Sequence, residues 1–349
     1  MPASDLISGR KTINYKLYKR GIIAVVVIAI LYTSVWYFLA NKVEEKVSDQ
    51  LALYNENGFV VLCENMHKIG YPLRIGVSCD TVNLQQLMKG FAFSSEKIIA
   101  GAPVYAPHWL ELSLTAPVSL ELPGLIPFSA KWSGLTVETD MSQPIPDAVS
   151  LRAEDIEIGT KADAGALVNK TTGKFLRFDA HGFNSNLDAR LTFEDLKLPV
   201  IIPHENTPVP QMTGDIRWSL NEAVSLFQTE ENAIMDQHYW FERLRGHKGT
   251  LQPSTVRFAS GGAMTVSGPF SFNDEGYLSA KLDIAVSDQN KLLQTARDAF
   301  PSQADNLKTI FFALNAMPKN EKGDPVLQLS VKNGEVRLGF FKIGHIDPL

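Results

Sequence analysis

Every second residue from Leu110 to Leu122 is apolar: Leu110, Leu112, Leu114, Ala116, Val118, Leu120 and Leu122, with Pro117 the only break in the polar set between them. A period of two is that of a strand buried on one face, because successive side chains point to opposite sides. Proline cannot donate to a ladder, so this strand is expected at a sheet edge or at a bulge. Shorter alternations follow at Phe128/Ala130/Trp132, Leu135/Val137, Val149/Leu151/Ala153 with Ile156/Ile158, and Phe175 to Phe178. Leu187/Ala189/Leu191/Phe193, Leu196/Leu198 and Ile216/Trp218/Leu220 continue the series. It resumes through Thr255–Ala259, Ala263–Ser267, Pro269–Phe272 and Tyr277–Val286, where Asn273 to Gly276 supplies a turn. The last pair, Leu327/Leu329/Val331 and Val336/Leu338/Phe340, flanks Asn333-Gly334, a dipeptide that takes the positive φ values of a tight hairpin turn. Strands spaced this evenly, without helices between them, predict an antiparallel meander.

Helical signals are few. Residues Gly21 to Ala40 carry no charge and rise about 30 Å as a helix, enough to span a bilayer. Tyr32, Trp36 and Tyr37 lie toward the far end, while Arg10, Lys11, Lys16, Lys19 and Arg20 precede the run against the single acid Asp5. Positive charge stays on the cytoplasmic side, so residues 1–20 form a cytoplasmic basic tail and 21–40 a signal anchor. A cleaved signal would end on a small-x-small site, which Phe38-Leu39-Ala40 does not offer, and a core helix is seldom apolar on every face. Val43, Val47, Leu51 and Tyr54 then continue as an amphipathic helix up to Gly58, with Phe59 to Leu62 as a strand to cover it. Asn221 to Phe227 reads as a helical turn or two. Ser287-Asp288 caps a helix containing Leu292, Leu293 and Ala296, and another follows Pro301 with Leu307, Ile310, Phe311 and Leu314 inward.

The expected fold is mainly β with a few helices: an N-terminal transmembrane helix, then a large curved antiparallel β-meander sheet packed by helices. A single crossing is expected, with residues 41–349 on the exported side of the membrane. Pro199, Pro203, Pro208 and Pro210 place a soft sub-boundary near 199–212.

Composition narrows the functions. The 349 residues carry a net charge of −5 and 45% hydrophobic residues, and no basic face beyond the N-terminal arm could displace the counterions of a nucleic acid. No Gly-x-Ser-x-Gly elbow, phosphate loop, dinucleotide fingerprint, His-Glu-x-x-His or calcium loop occurs, so neither an enzyme nor a cofactor or metal is expected. The seven histidines are scattered. His108, between Tyr105 and Trp109, is either a contact at a pocket mouth or a turn histidine bonded to backbone near Pro107. His238-Tyr239-Trp240-Phe241 is either a docking patch, carried by Trp240 and Phe241, or core. Asn169-Lys170-Thr171 reads as a polar loop, and Glu154-Asp155-x-Glu157 as a solvated strand face.

Cys63 and Cys79, the only cysteines, flank His67 and the Gly70-Tyr71-Pro72 turn. In an oxidising compartment they are expected to pair as a disulfide. The alternatives are a metal set of Cys63, His67, Cys79 and Asp80, or a redox pair, which more often has Cys-x-x-Cys spacing.

Three stretches carry a likeness to a known family. They are Cys63 with Gly70-Tyr71-Pro72-Leu73-Arg74 and Cys79; Val104-Tyr105-Ala106-Pro107-His108 with the strand after it; and Asn333-Gly334-Glu335-Val336-Arg337-Leu338-Gly339. On these the chain resembles an uncharacterised bacterial family, domain of unknown function 2125, which implies an N-terminal anchor and an exported β-rich domain. More distantly the layout is similar to AsmA-type envelope proteins, whose sheet is thought to shield lipid. The expected partners are therefore the inner membrane through residues 21–40, and lipid or an envelope protein on the exported side.

Overall fold

The uncharged run and the amphipathic stretch after it form one unbroken helix, α1 (Tyr15–Glu56). In the computed structural model, residues 15–56, 58–86, 90–122, 126–141, 147–161, 167–183, 185–199, 210–223, 242–339 and 341–349 are described. At 42 residues α1 is about 63 Å long, and it is the one helix among the described residues long and apolar enough to cross a membrane. Ile22, Val25, Ile28 and Leu31 are exposed, whereas Trp36 and Ala40 are buried. Those two lie where α1 meets the sheet. The Trp36 indole donates to the Arg74 carbonyl at 2.8 Å, and Lys68 bridges to Asn41 (2.6 Å) and Glu44 (2.9 Å). Gly58, at φ 85°, follows the helix, and the Asn55 side chain accepts from the Val61 amide at 2.7 Å to fix the entry into the sheet.

The sheet has eighteen strands among the described residues: β1 (Val60–Glu64), β2 (His67–Ile69), β3 (Arg74–Cys79), β4 (Thr81–Gln86), β5 (Phe91–Pro103), β6 (Trp109–Glu121), β7 (Phe128–Lys131), β8 (Gly134–Asp140), β9 (Ala148–Lys161), β10 (Leu167–Phe183), β11 (Asn186–Leu196), β12 (Met212–Leu220), β13 (Lys248–Phe258), β14 (Ala263–Phe272), β15 (Leu278–Ser287), β16 (Val326–Lys332), β17 (Glu335–Leu338) and β18 (Phe341–His345). The long strands β5 and β6 each face two shorter ones, β4 with β3 and β7 with β8. From β9 onward each strand pairs antiparallel with the next through β18. Helices α2 (Gln289–Ala299) and α3 (Ala304–Leu314) sit in the connection between β15 and β16, where Leu292 and Leu314 pack on Val286 with Met264 and Leu327.

A line of irregularities crosses the first eleven strands at one level. Asn65 (φ 52°), between β1 and β2, donates to the Asp80 carboxylate that separates β3 from β4. Register shifts between Ser95 and Lys97 opposite β6, where the peptide bond before Pro117 is cis. Ser133, between β7 and β8, donates to Asp155 (φ 49°) in β9. Asp195 (φ 53°) lies at the shift between β11 and β12. Along this line the apolar alternation changes phase: Ile75, Val77 and Cys79 give way to Val82 and Leu84, and Val149, Leu151 and Ala153 to Ile156 and Ile158. One extra residue per strand shifts the pleat by one, so the phase change keeps the apolar set on one face.

Cys63 and Cys79 sit on this line and form a disulfide, with Cα atoms 5.4 Å apart. That answers the metal alternative, since both sulfurs are committed to each other. His67 Nδ1 lies 2.8 Å from the Asn65 carbonyl and Asp80 is held by Asn65.

Several expectations change. Pro117 lies in a strand paired on both sides, so the bulge and not the edge explains it. Asp288 makes no side-chain cap, because at φ 52° its carboxylate is turned from the first helical amides. Asn169 to Thr171 belongs to β10 and not to a loop. Leu187 to Leu196 pairs directly with Met212 to Leu220, the strands on either side of the proline-rich segment. Residues 200–209, and 224–227 of the expected helical turn, lie outside the described residues.

The strands belong to one sheet, and a buried cluster lies where α2 and α3 pack on it. Replacing Trp36 by Ala would leave the Arg74 carbonyl without its donor and a hole under α1, a loss of about 3 kcal/mol. Hydrogen exchange should quicken across Arg74–Cys79 and stay unchanged in β12–β15. Replacing both cysteines by Ser should cost about 3 kcal/mol, read as a lower urea midpoint of the full chain in detergent micelles.

Candidate ligand surface

Cross-strand register brings side chains of one kind together. Ala100, Leu112, Val137, Leu151, Phe178, Leu191 and Ile216 are successive partners on β5, β6, β8, β9, β10, β11 and β12. Leu110, Val149, Ala180 and Ala189 lie on the same face. Further along, Leu282, Leu329 and Leu338 are partnered in the same way. Each of these strands alternates, so in-register pairing converts seven separate sequence patterns into one apolar ribbon running across the strands. Its two ends are covered: α1 packs on β1 to β3, and α2 with α3 on the β14–β16 region. Between those covers Leu112, Val137, Leu151, Phe178, Leu191 and Ile216 are half-buried.

The opposite face is polar along a parallel line. Glu111, Glu138, Ser150, Asp179, Arg190 and Arg217 are successive partners. Arg190 reaches Asp215 with both Nε and Nη2, at 2.9 and 2.8 Å, and Arg217 does the same at 3.1 and 2.6 Å. Hydrogen bonds from Arg217 and then Arg190 hold the Asp215 carboxyl down at about 2, from an ordinary 3.8. Near the irregular line this face has a cleft of 450 Å³ whose charged lining is Glu111, Glu138, Glu154, Arg152 and Arg177. Glu111 also pairs with Arg74 at 2.5 Å. Mixed charges that pair with one another in this way make a solvated, self-neutralised surface.

Of the residues singled out from the sequence, Tyr105 and His108 are exposed in the loop between β5 and β6, and Trp109 opens β6 half-buried. The His108 carbonyl accepts from the Met141 amide at 2.7 Å. This loop is at one end of the strands, beside the turn at Gly70–Arg74, and not over the apolar ribbon. Trp240 and Phe241, with His238 and Tyr239, lie outside the described residues. Among the described residues, no group of three or more His, Cys, Asp and Glu is arranged to hold a metal ion. The ribbon itself is missed by inspection of any single strand, because its continuity exists only in the register.

The sequence model of a bacterial family described as "Uncharacterized protein conserved in bacteria (DUF2125)" matches residues 36–347, and the chain belongs to that family. The match begins at Trp36, the residue with which α1 grips the sheet. No curated protein and no solved structure matches the chain.

Asp215 gives a pH test of the polar face. With its folded pKa below the unfolded one, its contribution is complete above about pH 4 and is lost as pH falls toward 2. Asp215→Asn should cost about 1 kcal/mol at neutral pH, the exposed arginines being screened by water. The gap between variant and wild type in urea denaturation should close between pH 4 and 2.

Proposed function

For this member of an uncharacterised bacterial family, we propose a non-enzymatic role: a single-pass inner-membrane protein whose periplasmic sheet binds an apolar component of the cell envelope, with lipid as the ligand class. The observation that carries this reading is the apolar ribbon, in register from Ala100 to Ile216 and half-buried between the helices that cover its two ends. Leaving branched apolar side chains partly in water costs roughly 25 cal/mol per Å² that a ligand would recover, so the face favours an apolar occupant over water. The basic residues before α1 support a cytoplasmic N-terminus, and the Cys63–Cys79 disulfide suits an oxidising compartment on the other side.

A second reading, docking of an envelope protein, rests on the same ribbon and on the polar cleft beside Glu111. One experiment separates the two. A photo-crosslinking side chain at Leu191 of the full chain in living cells should give lipid adducts, and Phe178→Asp, which places a charge on the adjacent strand, should abolish them. Discrete protein adducts in their place would favour docking.

A further inference from the structure

The first turns of the sheet lie against residues of α1 that, by count, belong to its membrane span. Tyr32 hydroxyl donates to the Pro72 carbonyl, Thr33 Oγ1 is 2.8 Å from the Tyr71 hydroxyl, and the Trp36 and Tyr71 rings meet edge-on with centroids 5.2 Å apart. Tyr32 is only twelve residues beyond Arg20, about 18 Å along the helix axis, while an apolar core is about 30 Å thick. The turn carried on β3 is thus level with the last part of the span. Its outward side chains are apolar: Tyr71 is 53% and Leu73 66% exposed. The Val104 amide donates to the Leu73 carbonyl at 2.9 Å, which sets the β5–β6 loop beside the turn, and Tyr105 there is 83% exposed. α1 then runs away from this edge, with Glu44 on Lys68 and Asn55 at Val61, so the opposite strand ends point away from the span.

We propose that this edge, carrying Tyr71, Leu73 and Tyr105, is seated in the headgroup boundary of the same bilayer that α1 crosses. Tyrosine suits that layer, with an apolar ring and a polar hydroxyl, and leucine enters the acyl side. The strands then stand on the membrane at their β2–β3 and β5–β6 ends, and the apolar ribbon begins next to the lipid. The inference rests on the reading of α1 as a membrane span, and it gives Tyr105 a lipid contact.

The test uses the full chain with its disulfide intact, in phosphatidylcholine vesicles containing nitroxide-labelled lipid. Single Leu73→Cys, Tyr105→Cys, Ile126→Cys and Val27→Cys variants carry an environment-sensitive fluorophore. Ile126 is 71% exposed but lies at the opposite ends of the strands, between β6 and β7. Labels at 73 and 105 should be quenched by shallow nitroxides about twofold or more above the label at 126, and Leu73→Glu in the Tyr105→Cys background should bring 105 down to the level of 126. If 27 is quenched by deep nitroxides while 73 and 105 match 126, the seated edge is wrong and the anchor stands. If 27 is not quenched, the anchor reading fails and the inference with it. Labels at 73 and 105 that stay dark to lipid but are shielded from a water-soluble quencher would assign the edge to a protein partner and overturn the proposal.

Discussion

Strands joined in one continuous sheet must keep their apolar side chains on one face, and the rest of this molecule depends on that constraint. Each strand has a pleat of period two, so any extra residue would throw the remainder of its apolar set onto the wrong side. Here the extra residues come together, strand beside strand, at Asn65, Asp80, Ser95–Lys97, Asp155 and Asp195. Because neighbours shift at the same level, their registers stay matched on either side and the apolar face survives the line. Asp and Asn are suited to it: they tolerate positive φ, and their side chains bond across to the next break, as Asn65 does to Asp80. The disulfide lies on the same line, tying β1 to the end of β3, with which it has no backbone pairing.

The covers on the apolar face follow from the chain's order. α1 packs on the first strands, with the buried Trp36 as the contact between the long apolar helix and the sheet. The helices α2 and α3 leave and return between β15 and β16, so they can cover only the late strands. A meander places sequence neighbours side by side, and among the described residues its middle strands are far along the sheet from either set of helices. The half-buried ribbon from Leu112 to Ile216 is a consequence of that topology.

The polar face is organised by the same register. Glu111, Glu138, Asp179, Arg190 and Arg217 fall in one line because the leucines and valines between them fall in another. Pairing within this line, with Asp215 held by two arginines, neutralises the face locally. Most of its charges are paired and partly in water, so they contribute little to stability and much to keeping that face wet.

What could be read from the chain alone was everything with a short period. The uncharged run of α1, the alternation of β6 and β9 to β12, the Asn333-Gly334 turn and the pairing of Cys63 with Cys79 were all legible, because each depends on a few neighbouring residues. The strand β5 was not, since Phe93/Ser95 and Ile98/Ala100 are out of phase across its shift and neither half is long enough to stand out. Pro117 left an edge and a bulge both open, because sequence does not say how many neighbours a strand has. Local composition therefore determined the elements, the long apolar helix and the sidedness of each strand. Only the tertiary structure decided that the sides align into one ribbon, that Trp36 and Ala40 face protein, and that Tyr71, Leu73 and Tyr105 share an edge. Alignment is a property of register between strands, and register is set by the breaks, turns and helix contacts of the whole sheet acting together.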